Sequence, residues 1–267
     1  MDRTLANISP DAKIAENVVI EPFATIYGNV EIEEGCWIGP NAVIMEGSRI
    51  GKNCKIFPGA VIAGIPQDLK FMGEETTVEI GENTVVREYV TINRGTAAKG
   101  KTVIGKNCLL MSYVHVAHDC IVANNCILGS YTGIAGEVEV DEFAIISPGS
   151  LVHQFVRLGK HIIIQGGSKV PKDVPPFIMA GREPICFMGL NSVGLKRRRF
   201  QPGKIGEIQD MYRYIYQKGL NVSQALEKIN QDFEDSPEKQ TIIDFIKGSK
   251  RGIIRGGLSM EAETMIP

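Results

Sequence analysis

The sequence lacks the features that mark several large classes of protein. Its 29 lysines and arginines nearly balance 31 aspartates and glutamates, so it offers no general basic field for nucleic acid. The first ten residues, MDRTLANISP, contain no apolar run, and the longest uncharged stretch, residues 120–136, includes Asn, Ser, Tyr and Thr. We therefore expect neither a secretory signal nor a transmembrane segment, and we expect a cytoplasmic protein.

Paired cysteine motifs are also missing, although the chain contains six cysteines. None of them forms a CxxC pair, which argues against a zinc ribbon or a thioredoxin-like redox site. The sequence therefore has to be interpreted from its aliphatic pattern.

Aliphatic residues recur every six positions along most of the chain. The 24 anchors in phase are residues 14, 20, 26, 32, 38, 44, 50, 56, 62, 80, 86, 92, 104, 110, 116, 122, 128, 134, 140, 146, 152, 158, 164 and 170. A helix with 3.6 residues per turn cannot keep such a set on one face, whereas residues two apart in a strand share a face. Each hexad therefore predicts one short strand.

The residues around each anchor define the rest of the hexad. Two positions before the anchor stands Ala, Val, Ser, Thr or Cys in 23 of 24 cases, the exception being Ile162. These small residues should point inward beside the anchor. Five of the six cysteines occupy this position, so we interpret them as small buried residues. Three positions after the anchor, Asn or Gly occurs in 13 cases, and both enter the left-handed backbone region cheaply, which predicts a corner.

Short strands with a corner every six residues predict a parallel β-helix. If each coil has three hexads, the repeat makes eight coils of 18 residues, a rod about 40 Å long. The rhythm is interrupted at residues 64–79 and 94–103, and it returns in phase each time. We therefore expect two loops ejected from the prism, either carrying function or serving as simple surface insertions.

A helical pattern replaces the repeat near the C-terminus. Apolar residues at helical spacing occur at 205, 208, 211, 212 and 215, and SPEK at 236–239 has the form of a helix start with Ser236 as the cap. We expect a β-helix domain over residues 1–189 and an α-helical domain over residues 190–267.

Two of the four histidines lie in YVHVAHDC, residues 113–120. His118 falls two residues after its anchor, where it should face outward near a corner. With 18 residues per coil, His118, Gly136 and Gln154 form one column with neighbours about 4.8 Å apart. A histidine beside an accessible glycine N–H suits acyl transfer, as base and oxyanion donor respectively, with Asp119 orienting the imidazole. A solvated surface histidine is the alternative.

A metal site is a rival interpretation of the same histidines. The gamma-class carbonic anhydrases share the hexapeptide repeat and hold zinc between subunits with three histidines. Here His115 and His118 are three residues apart, and His153 and His161 lie far along the chain. We therefore expect no metal and no cofactor.

Several longer segments resemble one family of enzymes. They are AGIPQDLKF (63–71), REYVTINRGT (87–96), VHVAHDC (114–120), VHQF (152–155) and GLNSVGLKRR (189–198). They resemble the UDP-N-acetylglucosamine O-acyltransferases of lipid A synthesis, nearly end to end. The resemblance implies a left-handed parallel β-helix followed by an α-helical domain, assembled as a homotrimer. It implies transfer of an (R)-3-hydroxyacyl chain from acyl carrier protein to the 3-hydroxyl of UDP-N-acetylglucosamine.

The resemblance also implies roles for individual residues. It gives His118 as the base and Gly136 as the oxyanion donor. The implied substrate contacts are Asp68, Lys70, His115, His153, Gln154, Gly166, Asn191, Arg197 and Arg198. Gly166 matches the position that limits acyl chain length, and the two arginines match groups near the nucleotide and the carrier protein. His115 could equally be an outward strand residue without a role, and His161 is interpreted as a bystander.

Three positions depart from the family pattern. They are Asn93 and Glu137, where histidines are common, and Val193, where a glutamate is common. A relative that accepts an altered UDP-sugar therefore stays open. So do an N-acyltransferase of the same pathway, which carries an additional N-terminal domain, a metal-dependent hydratase, and a scaffold without catalytic activity.

Overall fold

The computed structural model describes residues 5–256, in which short parallel strands build a triangular prism. Strands are numbered β1 to β28 along the chain. Sheet A contains β1 (Asn7–Ile8), β4 (Thr25–Ile26), β7 (Val43–Ile44), β10 (Val61–Gly64), β13 (Thr91–Asn93), β16 (His115–Val116), β19 (Gly133–Ile134), β22 (Leu151–Val152) and β25 (Lys169–Val170). Sheet B contains β2 (Lys13–Ile14), β5 (Glu31–Ile32), β8 (Ser48–Ile50), β11 (Thr77–Ile80), β14 (Lys101–Ile104), β17 (Ile121–Val122), β20 (Glu139–Val140) and β23 (Arg157–Leu158).

Sheet C closes the prism and continues past its end. Its prism strands are β3 (Val19–Ile20), β6 (Trp37–Ile38), β9 (Lys55–Ile56), β12 (Val85–Val86), β15 (Leu109–Leu110), β18 (Ile127–Leu128), β21 (Ile145–Ile146) and β24 (Ile163–Ile164). It is extended by β26 (Ile178–Gly181), β27 (Cys186–Leu190) and β28 (Arg255–Gly256), with β27 antiparallel to β26. The predicted left-handed parallel β-helix is confirmed, and its first strand, β1, lies one hexad before the first anchor of the repeat, Ile14.

The register follows the predicted 18-residue coil. Val116 pairs with Ile134, and Ile134 pairs with Val152, so each anchor lies one coil above its predecessor. The anchors from Ile26 onward and the small residues before them fill the interior and are buried. The hexad therefore predicted both the strands and the core.

The corners fall three residues after the anchors, in the left-handed backbone region. Asn and Gly occupy many of them, for example Asn125 with φ of 61°. Aromatic residues occupy others, and one set stacks in a ladder: Tyr89 on Tyr113 at 5.2 Å, and Tyr113 on Tyr131 at 5.0 Å between ring centroids. Stacking offsets the strain of a bulky residue at positive φ, which explains why these corners do not require Asn or Gly.

Several of the small inward residues also donate hydrogen bonds to backbone carbonyl groups. The Cys126 thiol donates a hydrogen bond to the Asp141 carbonyl at 3.2 Å, and Cys120 does the same for the Ala135 carbonyl at 3.1 Å. Ser150 and Thr84 use hydroxyls in the same way. Several of these cysteines are therefore donors to buried corner carbonyls, in addition to being small.

Both ejected loops leave the prism between sheet A and sheet B, a corner that we name the A/B edge. Residues 65–76 connect β10 to β11, and residues 94–100 connect β13 to β14. Both spans are shorter than the expected 64–79 and 94–103, because residues 77–79 and 101–103 pair with neighbouring coils as strands. Insertions of twelve and six residues over the ordinary spacing preserve the phase of the repeat.

Four helices follow the prism: α1 (Ser192–Arg197), α2 (Pro202–Tyr216), α3 (Val222–Asp232) and α4 (Pro237–Lys247). The predicted apolar face of α2 is buried, and the Tyr212 hydroxyl donates to the Pro176 carbonyl at 2.6 Å. Ser236 caps α4 as predicted by accepting from the Lys239 N–H. Strand β28 returns to sheet C, so this region also carries a strand.

Candidate active site

His118 lies at the A/B edge, in the column that the repeat predicts. The Glu137 N–H donates to the His118 carbonyl at 3.0 Å, and the Phe155 N–H donates to the Gly136 carbonyl at 3.1 Å. These bonds place Gly136 one coil above His118 and Gln154 one coil above Gly136. The His118 side chain is 17% exposed and turns outward, away from the aliphatic interior.

The His118 imidazole lies directly against Gly136. A Cβ atom on Gly136 would stand 2.6 Å from His118 Nε2 and 2.7 Å from Cε1, closer than real Cβ contacts allow. Gly136 does not have a positive φ, so glycine is required here for space and not for backbone conformation. Among the hydrogen bonds of residues 5–256, none uses the Gly136 N–H as donor. That N–H therefore has no acceptor among the described residues, and Gly136 lines the cleft in front of His118.

Asp119 contacts its own neighbour in the sequence. The corner places Asp119 at φ of 59°, and its Oδ2 lies 2.8 Å from His118 Nδ1. The Asp119 side chain is fully buried. An aspartate tolerates this left-handed conformation better than most residues do, so it suits both the corner and the contact with the histidine.

The loop of residues 94–100 supplies the other donors to Asp119. The Thr96 N–H and the Lys99 N–H donate to Oδ1 at 3.0 and 3.2 Å, and the Thr96 hydroxyl donates to Oδ2 at 2.6 Å. Burial opposes the ionisation of Asp119, but the hydrogen bonds from Thr96, His118 and Lys99 outweigh burial and lower its pKa. Asp119 is therefore a carboxylate at neutral pH.

An ionised Asp119 fixes the tautomer of His118. A carboxylate only accepts hydrogen bonds, so a neutral imidazole must carry its proton on Nδ1. The Nε2 lone pair then faces the space beside Gly136, where Asp68 Oδ2 is 3.9 Å away. This arrangement can take a proton from a hydroxyl bound in front of Nε2.

A cleft of about 570 Å³ opens in front of this column. It is lined by Gln67, Asp68, Leu69, Lys70, His118, Gly136, Glu137, Gln154 and Phe155. Of the residues singled out from the sequence, the structure thus brings Asp68, Lys70, His118, Gly136 and Gln154 together. Asp68 also accepts from the Lys70 N–H at 3.0 Å, which shapes the loop between them.

The other two expected histidine contacts do not line this cleft. His115 is half-buried on β16, with Nδ1 at 2.8 Å from the Thr91 hydroxyl, and burial lowers its pKa. His153 is exposed, and its Nδ1 lies 3.1 Å from the Gln154 carbonyl.

Four further expected contacts lie elsewhere on the chain. Asn191 is buried, caps α1 and donates to the His161 carbonyl at 2.9 Å. Arg198 lies over the Phe143 ring at 4.9 Å, and burial lowers its pKa. Arg197 and Gly166 are exposed. None of the four lines the cleft beside His118.

The structure also locates the three departures from the family pattern. Asn93 is buried, and its Nδ2 donates to the Ile65 carbonyl at 3.1 Å, where the first loop begins. Glu137 lines the cleft, and Val193 is exposed on α1. A substitution at Glu137 is therefore the one of the three that directly changes the surface of the cleft.

The role of Thr96 was not predicted from the sequence, although Thr96 ends the segment REYVTINRGT. Thr96 and Asp119 are 23 residues apart, and their contact depends on how the ejected loop folds back. The available signal was the phase of the repeat, because an insertion that returns in phase must leave and re-enter at one edge.

No group of three or more His, Cys, Asp or Glu side chains in residues 5–256 has a geometry that could hold a metal ion. None of the helices in that same range is both long and apolar enough to cross a membrane.

Two family models match the chain. Residues 173–254 match the second domain of UDP-N-acetylglucosamine O-acyltransferase, and residues 29–64 and 101–136 match the bacterial transferase hexapeptide of six repeats. The first match covers the end of the prism and the helices, and the second covers parts of the repeat.

Individual relatives are similar over most of their length. An acyl-(acyl-carrier-protein)–UDP-N-acetylglucosamine O-acyltransferase of Chlorobaculum parvum is 47% identical over 195 residues, 73% of this chain and 74% of the relative. A UDP-N-acetylglucosamine acyltransferase from Bacteroides fragilis, known from its crystal structure, is 56% identical in sequence to this chain. The two structures superpose with a TM-score of 0.94, and the match covers 96% of this chain and 100% of the Bacteroides chain. The Francisella novicida UDP-N-acetylglucosamine acyltransferase is 38% identical, with a TM-score of 0.93, and the match covers 96% of this chain and 94% of the Francisella chain.

Proposed function

The chain belongs to the family of acyl-(acyl-carrier-protein)–UDP-N-acetylglucosamine O-acyltransferases, and from this premise we propose its reaction. It transfers an (R)-3-hydroxyacyl chain from acyl carrier protein to the 3-hydroxyl of UDP-N-acetylglucosamine, the first step of lipid A biosynthesis. The observation that carries the chemistry is the packing of His118 Nε2 against Gly136, with Nδ1 2.8 Å from the Asp119 carboxylate.

The proposed mechanism is direct attack of the sugar on the thioester. His118 Nε2 removes the proton of the 3-hydroxyl as its oxygen attacks the acyl carbonyl. The Gly136 N–H stabilises the resulting oxyanion, and Asp119 stabilises the imidazolium. The tetrahedral intermediate then collapses, the carbon–sulfur bond breaks, and the imidazolium returns its proton to the leaving thiolate. The cleft lining includes no serine or cysteine beside His118, which favours transfer without an acyl-enzyme.

The remaining substrate contacts are proposed from the family resemblance. Asp68, Lys70 and Gln154 would contact the sugar and the reacting acyl end, which agrees with their position in the cleft. The other expected contacts lie outside this cleft. His153 matches a residue that lines the sugar and acyl cleft, Gly166 matches the position that limits acyl chain length, and His115 is a substrate contact without a more specific role. Asn191, Arg197 and Arg198 match groups near the nucleotide and the carrier protein. Arg197 and Arg198 suit a pyrophosphate or an acidic carrier because guanidinium groups bind phosphate in a bidentate manner.

A homotrimer would bring these separated contacts together. Most outward residues of sheet B are charged and form ion pairs, such as Arg157 with Glu139 at 3.5 Å, and Ile121 is the exposed large apolar residue on this face. By contrast, sheet A and its edges expose large apolar side chains: Phe23, Tyr27, Ile65, Leu69, Met72, Tyr89, Tyr113, Tyr131, Leu151 and Phe155. Sheet C presents Val85, Leu109, Ile127, Ile145 and Ile163 outward. Three-fold packing of prisms would bury sheets A and C and leave sheet B in water.

In such a trimer the A/B edge would lie at the mouth of a cleft between two prisms. His118 of one subunit would then face a neighbouring subunit, which could supply the nucleotide contacts that the His118 cleft lacks. Leu151→Glu, on β22 near the C-terminal end of sheet A, should reduce the mass measured by light scattering toward that of a monomer. A trimer that persists in this variant would argue against burial of sheet A.

We also propose that the protein works in the cytoplasm. All six cysteines are unpaired and buried, as is usual in a reducing compartment.

The test of the function is direct. UDP-N-acetylglucosamine is incubated with a panel of (R)-3-hydroxyacyl carrier proteins, and the product is identified by mass spectrometry. His118→Ala should lower turnover by at least about a thousandfold, because the acceptor loses its base, while circular dichroism shows that the protein stays folded. Near-normal turnover in that variant would refute the assignment. UDP-sugars with other substituents belong in the same panel, since Glu137 changes the cleft surface.

A further inference from the structure

We propose that Thr96 is a positioning residue, whose hydroxyl fixes the Asp119 carboxylate and thereby the proton on His118 Nδ1. The inference deepens the proposed function and rests on it. It assigns a task to the second ejected loop, residues 94–100. None of the residues that line the cleft belongs to this loop.

The direction of the Thr96 hydroxyl proton follows from its two partners. Thr96 Oγ1 accepts a hydrogen bond from the Ala98 N–H at 3.2 Å and lies 2.6 Å from Asp119 Oδ2. A backbone N–H can only donate and a carboxylate can only accept, so the hydroxyl proton must point at Asp119. The threonine is thus locked as a donor by its own loop.

The same Asp119 oxygen serves both Thr96 and His118. Oδ2 accepts from the Thr96 hydroxyl at 2.6 Å and from His118 Nδ1 at 2.8 Å, while Oδ1 accepts from the Thr96 and Lys99 N–H groups. The loop therefore donates three hydrogen bonds to the Asp119 carboxylate, and the fourth hydrogen bond is the one with the His118 imidazole. Rotation of Asp119 away from His118 would break three bonds at once.

The hydrogen bond between Thr96 and Asp119 is buried, which increases its contribution to holding the carboxylate in place. Thr96 is 7% exposed and Asp119 is not exposed at all, so water does not replace a lost donor at this position. A hydrogen bond to a buried charge contributes more than one between neutral groups, because the unpaired charge is poorly solvated.

The other charged groups near His118 lie on the cleft side and behind Asp119. Asp68 and Lys70 face it from the first loop, Glu137 lies in the next coil, and Lys99 stands behind Asp119, with its Nζ 3.5 Å from Glu139. All of them remain in a variant of Thr96. A change in the pH profile of such a variant therefore reports on Asp119.

Thr96→Val removes the hydroxyl and keeps the shape and the backbone N–H. We expect kcat to fall roughly tenfold to a hundredfold, with little change in KM, because the lost bond supports the base and not the substrates. Oδ2 then carries more uncompensated negative charge, so the imidazolium is favoured. We expect the acidic limb of the kcat/KM profile to move up by about half to one pH unit.

Two variants control for a merely structural effect. Thr96→Ser keeps the hydroxyl and should restore both the rate and the pH profile. Thr76→Val removes an equally buried hydroxyl that donates to the Gly95 carbonyl at 2.6 Å, in the same pair of loops but without contact to Asp119. It should lower the melting temperature and leave the acidic limb in place. If Thr96→Val does not fold, Thr96→Ala, which removes the same hydroxyl, is measured instead.

A second readout does not depend on the reaction. The ¹⁵N chemical shifts of the His118 ring, assigned with His118→Ala, report its tautomer in the substrate-free protein. We expect Nδ1–H in the wild type and, in Thr96→Val at the same pH, ring ¹⁵N shifts that differ from those of the wild type. If the protein lacks transferase activity but shows this difference, the proposed function fails and the role of Thr96 stands. If Thr96→Val keeps the wild-type ring shifts and pH profile, the inference is overturned.

Discussion

His118 and Asp119 are consecutive in the chain, and yet their side chains form a hydrogen bond of 2.8 Å between Nδ1 and Oδ2. Neighbouring residues of a strand point to opposite faces, so this contact requires the corner, where Asp119 adopts a φ of 59°. The turn that shapes the prism thus also assembles the histidine–carboxylate pair.

Asp119→Asn tests the tautomer that this pair imposes. The amide oxygen would retain the backbone donors of the loop, which turns the NH₂ group toward His118 and forces Nδ1 to accept. Nε2 would then carry the proton and could not act as base. We expect kcat to fall by about 10³ to 10⁴, with the protein still folded. Steady-state kinetics and circular dichroism measure the two effects, and a rate within tenfold of wild type would contradict the role of Asp119.

Gly136→Ala tests the close packing of the imidazole on the glycine. The added methyl would stand 2.6 Å from Nε2, so the ring has to move, and we expect at least about a hundredfold loss of kcat. Gly203→Ala on α2 is the matched control, because no atom lies within 4 Å of its new Cβ. That variant should keep full activity and be at least as stable as the wild type, because alanine lowers the entropy of the unfolded chain. Equal activity of the two variants would mean that the ring tolerates displacement.

Cys126 tests whether the inward cysteines act as donors or only as small residues. Cys126→Ala leaves the Asp141 carbonyl without the thiol donor, and we expect the free energy of unfolding to fall by about 1 to 2 kcal/mol. Cys126→Ser keeps a donor, as Ser150 does in the same position of its hexad, and should lie closer to wild type. Urea denaturation compares them. If the serine variant is the less stable one, packing and not hydrogen bonding decides this position.

His161 should make the protein less stable in acid. It is stacked between Phe143 and Phe177 at 4.9 and 5.7 Å, and burial, with Arg198 and Lys160 nearby, lowers its pKa to about 4. Its pKa is about 6.5 in the unfolded chain, so the unfolded state binds the extra proton first. Stability is therefore full above pH 6.5 and falls as the pH drops toward 4, by about 2 kcal/mol at pH 5.

His161→Phe is the matched variant for this prediction. Phenylalanine occupies equivalent corners at Phe143 and Phe155, and His161 Nδ1 has no hydrogen-bond partner to lose. The variant should remove most of the difference in unfolding free energy between pH 7 and pH 5. An unchanged difference would assign the acid sensitivity to other groups.

Much of this fold was predictable because the residues that specify each strand and corner lie within one six-residue repeat. Each hexad carries its own anchor, small inward residue and corner, and stacking identical coils leaves one register in which all anchors are buried. That register placed His118 beneath Gly136 without any knowledge of the loops. The apolar spacing at Ile205 and Ile208 and the Ser236 cap predicted α2 and α4 for the same reason, since both signals lie within one helical turn.

The sequence by itself therefore determined the prism, the phase of its interruptions and the column that holds the base. Only the tertiary structure decided how the loops close on that column: that Thr96 and Lys99 reach Asp119, that Asp68 comes within 3.9 Å of His118, and that Asn191 is buried as a cap. The physical reason is distance along the chain. A six-residue period specifies contacts between neighbouring coils, whereas loops without a period find their partners only once the rigid prism has fixed where their two ends lie.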